Sequence, residues 1–218
     1  MEVKPIQTDD GSHSLYVPEL NEHYHSTKGA IQESKHIFIE AGLKFLQKAE
    51  IKILEIGFGT GLNAFLTYLE GDKKGIQIDY TGLEKYPLSK TITSTLNYPD
   101  LLNAKRKNYD AMHQSEWNKP YLISDQFKLT KIEADINNWS TEDQFDLIYF
   151  DAFGPDKQPE VWTEHTFQLM SSVLRSGGVL VTYSAKGDVR RGFQAAGMQI
   201  EKIPGPPGKK HMTRGIKI

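Results

Sequence analysis

Residues 51–61 constrain the fold more than any other stretch of the chain. Ile51-Lys52-Ile53-Leu54-Glu55-Ile56 is a short, β-branched run, the pattern of a buried strand. It passes at once into Gly57-Phe58-Gly59-Thr60-Gly61. A helix over 62–69 is expected to open straight from the last glycine. Strand, glycine turn and helix in that order begin a βαβ unit. Such units build a mostly parallel sheet with right-handed crossovers and helices on both faces.

The rest of the chain repeats the alternation. Strands are expected at 76–83, 127–134, 145–150 and 179–183, the last entered through the turn Gly177-Gly178. Helices are expected at 88–96 after Pro87, at 162–174, and at 187–196, closed by Gly197. Residues 97–126 show no clear period. Two final strands, 198–203 and 212–218, are separated only by 204–211. That connection is too short for a helical crossover, so they should pair antiparallel. Asp10-Gly11 signals a hairpin turn near the start, and 29–48 reads as a helix with a loose apolar stripe. The expected fold is α/β: a seven-stranded, mostly parallel sheet finished by an antiparallel hairpin. That architecture resembles Rossmann-like methyltransferases.

The glycine loop points to a ligand. Glycines let a backbone turn sharply and approach a bound molecule, and the helix start behind them presents free amides. A dinucleotide loop places its third glycine three residues after the second; here Gly61 comes only two after Gly59, and Leu62-Asn63 follow. Glu55, just before the loop, would repel a pyrophosphate and suits an ammonium group. This favours S-adenosylmethionine, with NAD or FAD as the alternative. Glu84 ends the second strand, where an acid accepts ribose hydroxyls. Asp135, with Ile136 beside it, ends the third, where an acid accepts an adenine amino group.

The fourth strand ends at Asp151, in Asp151-Ala152-Phe153-Gly154-Pro155. An acid there stands beside the reactive end of the cofactor. Methyl transfer from a sulfonium is an in-line displacement governed by positioning. If the acceptor is an amine, Asp151 is the expected catalytic residue, orienting it and accepting its proton. Phe153 and Pro155 offer planar and apolar surface to a flat substrate.

Charge adds a second constraint. The 218 residues carry a net charge of −2, which by itself says nothing about nucleic acid. Residues 186–218, however, hold eight basic side chains against two acids, a surplus of six. The other 185 residues therefore stand at −8. Such asymmetry is the footprint of a face that meets phosphates. The chain has no cysteine, which excludes disulfides, thiolate metal sites and a cysteine nucleophile. His23, His25 and His36 lack a paired metal-ligand spacing, so no metal is expected. Trp117, Trp139 and Trp162 read as core residues. No apolar run approaches the ~20 residues that span a bilayer, and the start lacks a secretory pattern. No membrane association is expected, and a cytoplasmic location is.

Several segments together resemble the MnmC-type tRNA methyltransferase domain. They are Glu22 to Ser34, with its Tyr24-x-Ser26 element, Gly29 and Glu33; Leu54 to Asn63; Asp151 to Trp162; Gly187 to Gly197; and Gly205 to Met212. The resemblance implies N-methylation of 5-aminomethyl-(2-thio)uridine at a tRNA wobble position, giving the 5-methylaminomethyl form. It implies cofactor contacts from Tyr24, Ser26, Glu33, Glu55, Gly57, Phe58, Gly59, Gly61, Asn63, Glu84, Asp135, Ile136 and Asp151. Substrate contacts are expected from Phe153, Pro155, Lys186, Arg190, Lys209 and Lys210. Many members of that family also carry an FAD-dependent oxidase domain. This chain ends at residue 218, so no flavin is expected and the amine precursor must come from elsewhere. Residues 1–48 are expected to form a hairpin-and-helix appendage over the cofactor site, and 49–218 the Rossmann-like domain. Two alternatives stand beside this reading. A polyamine aminopropyltransferase shares the fold and the acid-rich loop, but the basic C-terminal segment suits no polycationic substrate. A non-catalytic S-adenosylmethionine- or RNA-binding module is the other, against which the intact Asp151 loop argues.

Overall fold

A computed structural model describes residues 2–218. Chain order runs β1 (Lys4–Gln7), β2 (His13–Val17), β3 (Glu22–His23), α1 (Ala30–Ser34), α2 (Lys44–Leu46), β4 (Glu50–Ile56), α3 (Leu62–Lys74) and β5 (Gln77–Glu84). It continues with α4 (Lys90–Thr93), α5 (Tyr98–Leu101), α6 (Arg106–Gln114), β6 (Pro120–Ser124), β7 (Phe127–Glu133) and β8 (Phe145–Phe150). It closes with α7 (Glu164–Val173), β9 (Leu174–Thr182), α8 (Gly187–Ala195), β10 (Met198–Pro204) and β11 (His211–Lys217). Between α1 and α2, Lys35–Leu43 continues the same helix in wider turns of the i→i+5 type.

Among the described residues the main sheet has eight strands in the order β10-β11-β9-β8-β4-β5-β7-β6. The five strands β9, β8, β4, β5 and β7 run parallel. β11 enters antiparallel beside β9, and β10 beside β11. The expected terminal hairpin is therefore present, but seven strands become eight. The additional strand, β6, pairs antiparallel with β7 inside the stretch that showed no period. The physical reason is its position. At the sheet edge Tyr121 and Leu122 are exposed, so burial imposes no alternation, and Pro120 stands at the strand start, where its missing N–H costs nothing.

Alternation in the inner strands feeds two cores. Leu147 and Tyr149 point into one cluster, with Ile53, Tyr80, Phe65 of α3 and Phe38 of the first helix. Ile148 and Phe150 point into the other, with Phe167 of α7 and Phe193 of α8. Both faces of the sheet are thus covered, as a parallel sheet requires. Each fully buried side chain of this size stabilises the fold by about 1.5–3 kcal/mol.

Other boundaries move for local reasons. The helix after the glycine loop runs on to Lys74 and stops at Gly75 in the left-handed region (φ 68°). The helix expected over 88–96 shrinks to Lys90–Thr93. The first hairpin joins β1 to β2 through Thr8–Ser12, a longer turn than the two residues Asp10-Gly11. Asp10 organises it, accepting from Thr8 Oγ1 (2.9 Å) and the Ser12 amide (3.0 Å). It also accepts from the Gln32 amide (3.0 Å), tying the hairpin to the start of α1.

Candidate active site

Strand register assembles the site. Ile56 of β4 pairs with Leu83 of β5 and with Phe150 of β8, while Glu84 pairs with Glu133 of β7. The carboxyl ends of four parallel strands are therefore level. Gly57 and Asp151, directly after their strands, and Asp135, two residues after Glu133, meet Glu84 at one edge of the sheet. The strand order reverses between β4 and β8, the crevice where open α/β sheets bind ligands. A cavity of about 820 Å³ opens there, within the ~300–1,000 Å³ of small-molecule sites. Glu22 to Thr27 and Lys209 to His211 contribute to its walls.

The glycine loop is shaped by close approach. Gly57 has φ 89°, and a Cβ on it would lie 2.7 Å from the carbonyl oxygen of Asp151. Gly59 has φ 47° and lies under the ring of Tyr24, where a Cβ would sit 3.1 Å from two ring carbons. Neither position admits a side chain without displacing a wall of the cavity.

The acids at the strand ends are held in distinct ways. Glu84 accepts the Gly59 amide through Oε2 (2.9 Å) and the Tyr86 amide through Oε1 (2.8 Å). Burial nonetheless raises its pKa. Asp135 caps the turn that follows, accepting from the Asn137 amide (3.0 Å), and pairs with Lys85 (2.9 Å). Those contacts hold its carboxyl below the usual range.

Asp151 and Glu55 are joined through Asn63. The Asn63 amide nitrogen lies 2.8 Å from Glu55 Oε1 and 2.8 Å from Asp151 Oδ2. Burial pushes both carboxyls well above the ordinary range, and Asn63 opposes the shift in each. Glu55 Oε2 and Asn63 Oδ1 are buried without any hydrogen-bond partner among the described residues. Asn63 lines the cavity, whereas Glu55 stands behind it. A cationic donor reaching Asn63 would satisfy a buried acceptor that the protein leaves open, and unmade bonds of that kind cost about 1–3 kcal/mol. An adenosyl ligand whose other end carries a sulfonium and an ammonium fits this set: acids at three strand ends, an apolar wall at Phe58 and Ile136, and an open acceptor at Asn63.

The loop after Asp151 is pinned at two backbone oxygens. Tyr183 donates to Ala152 O (2.8 Å), and Trp162 Nε1 donates to Phe153 O (2.8 Å). Tyr24 meets Phe153 edge to face at 5.1 Å. Trp162 is buried against Phe150, and Trp117 packs on Phe58.

Tyr24, Ser26, Glu33, Gly57, Phe58, Gly59, Asn63, Glu84, Asp135, Ile136, Asp151, Phe153, Pro155, Lys186, Lys209 and Lys210 all line this one cavity. Glu55, Gly61 and Arg190 do not. Gly61 faces His113 instead. Lys186 is tied to Asp156, and Lys209 turns inward to Glu33 (2.8 Å). Other bases of the C-terminal segment are used in packing: Arg214 pairs with Glu201 (2.7 Å), and Lys217 donates to Ser171 (2.7 Å). Sequence reasoning missed Tyr183, Lys85 and Lys157, which also line the site. Tyr183 follows a parallel strand directly, so the strand-end rule that selected Asp151 would have selected it. No group of three or more metal-ligating side chains, and no helix long and apolar enough to cross a membrane, occurs among the described residues.

Known proteins resemble this chain in sequence and in fold. The chain is 29% identical over 217 residues to the tRNA 5-methylaminomethyl-2-thiouridine biosynthesis bifunctional protein MnmC of Marinomonas sp. (strain MWYL1), covering 90% of this chain and 31% of that protein. It is 29% identical over 225 residues to the protein of the same name from Cupriavidus metallidurans, covering 96% of this chain and 33% of that protein. The chain thus spans about a third of the length of these curated relatives. The crystal structure of MNMC2 from Aquifex aeolicus superposes with a TM-score of 0.76 at 24% identity, covering 99% of this chain and 70% of that one, which shows the same fold. A family model for S-adenosyl-L-methionine-dependent methyltransferases matches residues 98–218. More than half of the sequence thus carries that family's pattern, on a fold whose acid-lined edge fits the cofactor, and the chain belongs to the S-adenosyl-L-methionine-dependent methyltransferases.

Proposed function

We propose that this methyltransferase transfers a methyl group to the amine of a 5-aminomethyl-(2-thio)uridine at a tRNA wobble position, in the cytoplasm. The observation that carries the reading is the polarity of the cavity. Its floor is acidic, with Asp151 beside the glycine loop, and at its mouth Lys202 and Lys210 are exposed and carry no ion pair among the described residues. An acidic floor suits a cation and an amine, while a basic mouth suits the phosphates flanking an extruded nucleotide. The names of relatives that match nine-tenths of this chain support the same substrate. The basic mouth weighs against a polyamine acceptor.

In this reading the N-terminal segment closes the cofactor site through Glu22 to Thr27, while its helix packs on the sheet of the methyltransferase domain. S-adenosylmethionine, when bound, supplies an electrophilic methyl on a sulfonium and leaves as the thioether. The residues of the chain do the rest. Glu84 and Asp135 orient the nucleoside end, and Asn63 accepts from the charged amino group. Phe153 and Pro155 hold the uracil plane. Asp151 orients the acceptor nitrogen and takes the proton that nitrogen sheds as its new N–C bond forms. A carboxyl whose proton affinity is raised by burial is well matched to that task.

The test is incorporation of labelled methyl into tRNA that carries 5-aminomethyl-(2-thio)uridine and lacks its methylated form, followed by digestion and mass analysis of the nucleosides. Label in 5-methylaminomethyl-(2-thio)uridine is expected. Absence of label from every tRNA removes the reading.

A further inference from the structure

The neighbours Lys209 and Lys210 have different surroundings. Lys210 is exposed at the cavity mouth and has no ion pair among the described residues. Lys209 points inward, with Nζ 2.8 Å from Glu33 Oε1 and 4.0 Å from the centroid of the Tyr183 ring. Each partner governs one wall of the site. The other oxygen of Glu33 accepts the Ser26 amide (2.7 Å), two residues beyond the Tyr24 that covers Gly59. Tyr183 donates to Ala152 O, next to Asp151. One ammonium thus joins the wall over the glycine loop to the wall that carries the acid, although Glu33 and Lys209 are 176 residues apart.

Resting on the amine-methylation reading, we infer that Lys209 is a positioning residue for methyl transfer rather than a phosphate contact, holding Glu33 and Tyr183 so that the Tyr24 segment and the Asp151 loop keep their spacing. Lys210 is left to the phosphates. The two lysines therefore answer different measurements. Misplacing reacting groups by about 1 Å can cost as much as ~100-fold in rate. Losing one phosphate contact lowers the slope of log affinity against log salt by roughly one.

The test compares Lys209→Met, Lys209→Arg, Glu33→Gln, the double variant Glu33→Gln with Lys209→Met, and Lys210→Met, all in the full chain. At saturating tRNA that carries 5-aminomethyl-(2-thio)uridine, Lys209→Met is expected to lower kcat by roughly tenfold or more, and Lys209→Arg to recover most of it. The double variant should be no slower than Lys209→Met alone, because the two side chains act as one unit. The salt slope of tRNA binding should be unchanged in Lys209→Met and reduced in Lys210→Met. A second readout needs no tRNA: affinity for S-adenosylhomocysteine should fall several-fold in both Lys209→Met and Glu33→Gln. This keeps the inference testable if wild-type protein methylates no tRNA, a result that would remove the tRNA reading alone. Should Lys209→Met fail to fold, Glu33→Gln carries the comparison: a lowered kcat at an unchanged salt slope is expected, and an undiminished kcat overturns the proposal. A reduced salt slope with undiminished kcat in Lys209→Met, or unchanged S-adenosylhomocysteine affinity in both charge-removing variants, overturns the proposal.

Discussion

The side-chain amide of Asn63 donates to two carboxylates at once, Glu55 Oε1 and Asp151 Oδ2, each at 2.8 Å. This places a helix residue between the last acid of β4 and the acid beyond β8. It leaves Asn63 Oδ1 as an open buried acceptor. Asn63→Ala removes both donors and strands Glu55, which is fully buried. We expect a loss of about 2 kcal/mol, a melting shift of roughly 4–8 °C. Added S-adenosylmethionine should raise the melting temperature less in the variant than in the wild type, as read by scanning fluorimetry.

Asp151→Ala should abolish methyl transfer while largely sparing affinity for S-adenosylhomocysteine, whose sulfur carries no charge. The nucleoside end has its own acids in Glu84 and Asp135, and Asn63 remains. Isothermal titration with S-adenosylhomocysteine, set beside single-turnover transfer, separates the two effects. Full activity in the variant would refute the assigned role.

Cofactor affinity should depend on pH in a definite direction. Burial raises the pKa of Asp151, Glu55 and Glu84, so these carboxyls take up protons earlier than free ones as pH falls. A cation favours their ionised forms. Affinity for S-adenosylmethionine should therefore weaken as pH is lowered, and affinity for uncharged-sulfur S-adenosylhomocysteine should weaken less. Asp151→Asn should flatten the dependence, measured from pH 8 downward.

His25 is buried beside Ser14 and Tyr98, and burial lowers its pKa to about 4. The folded state thus holds it neutral where the unfolded chain, near 6.5, would protonate it. Its contribution to stability is present above ~6.5 and is lost as pH falls toward 4, by about 1.4 kcal/mol per unit. In urea titrations at pH 7 and pH 5, His25→Gln should narrow the stability difference by about 2 kcal/mol.

Gly57→Ala tests the approach of the two loops. Its backbone is left-handed, and the added carbon would lie 2.7 Å from Asp151 O. A cost of about 1–2 kcal/mol comes from the backbone alone. The collision should also push Asp151 outward, so methyl transfer should fall more than thermal stability does.

Strand ends were legible because parallel strands buried on both faces are written as short apolar runs, and whatever follows them stands at the ligand edge. Gly57, Glu84, Asp135 and Asp151 were found by that rule, and Tyr183 was within its reach. β6 was not legible, since an exposed edge strand has no burial to impose a period. Glu55 was legible as an acid before the loop, but not its seat behind Asn63, because that depends on how α3 leaves Gly61.

The sequence by itself determined the alternation of strands and helices, the glycine turn and the uneven distribution of charge, since each is local pattern and periodicity. Tertiary structure decided the partners. Lys209 and Lys210 are adjacent in sequence and identical in type, yet one is turned to Glu33 and Tyr183 and the other to solvent. No local pattern separates them. The difference arises because the loop after β10 folds back over a helix near the other end of the chain, and only one of the two lysines lies on its inner side.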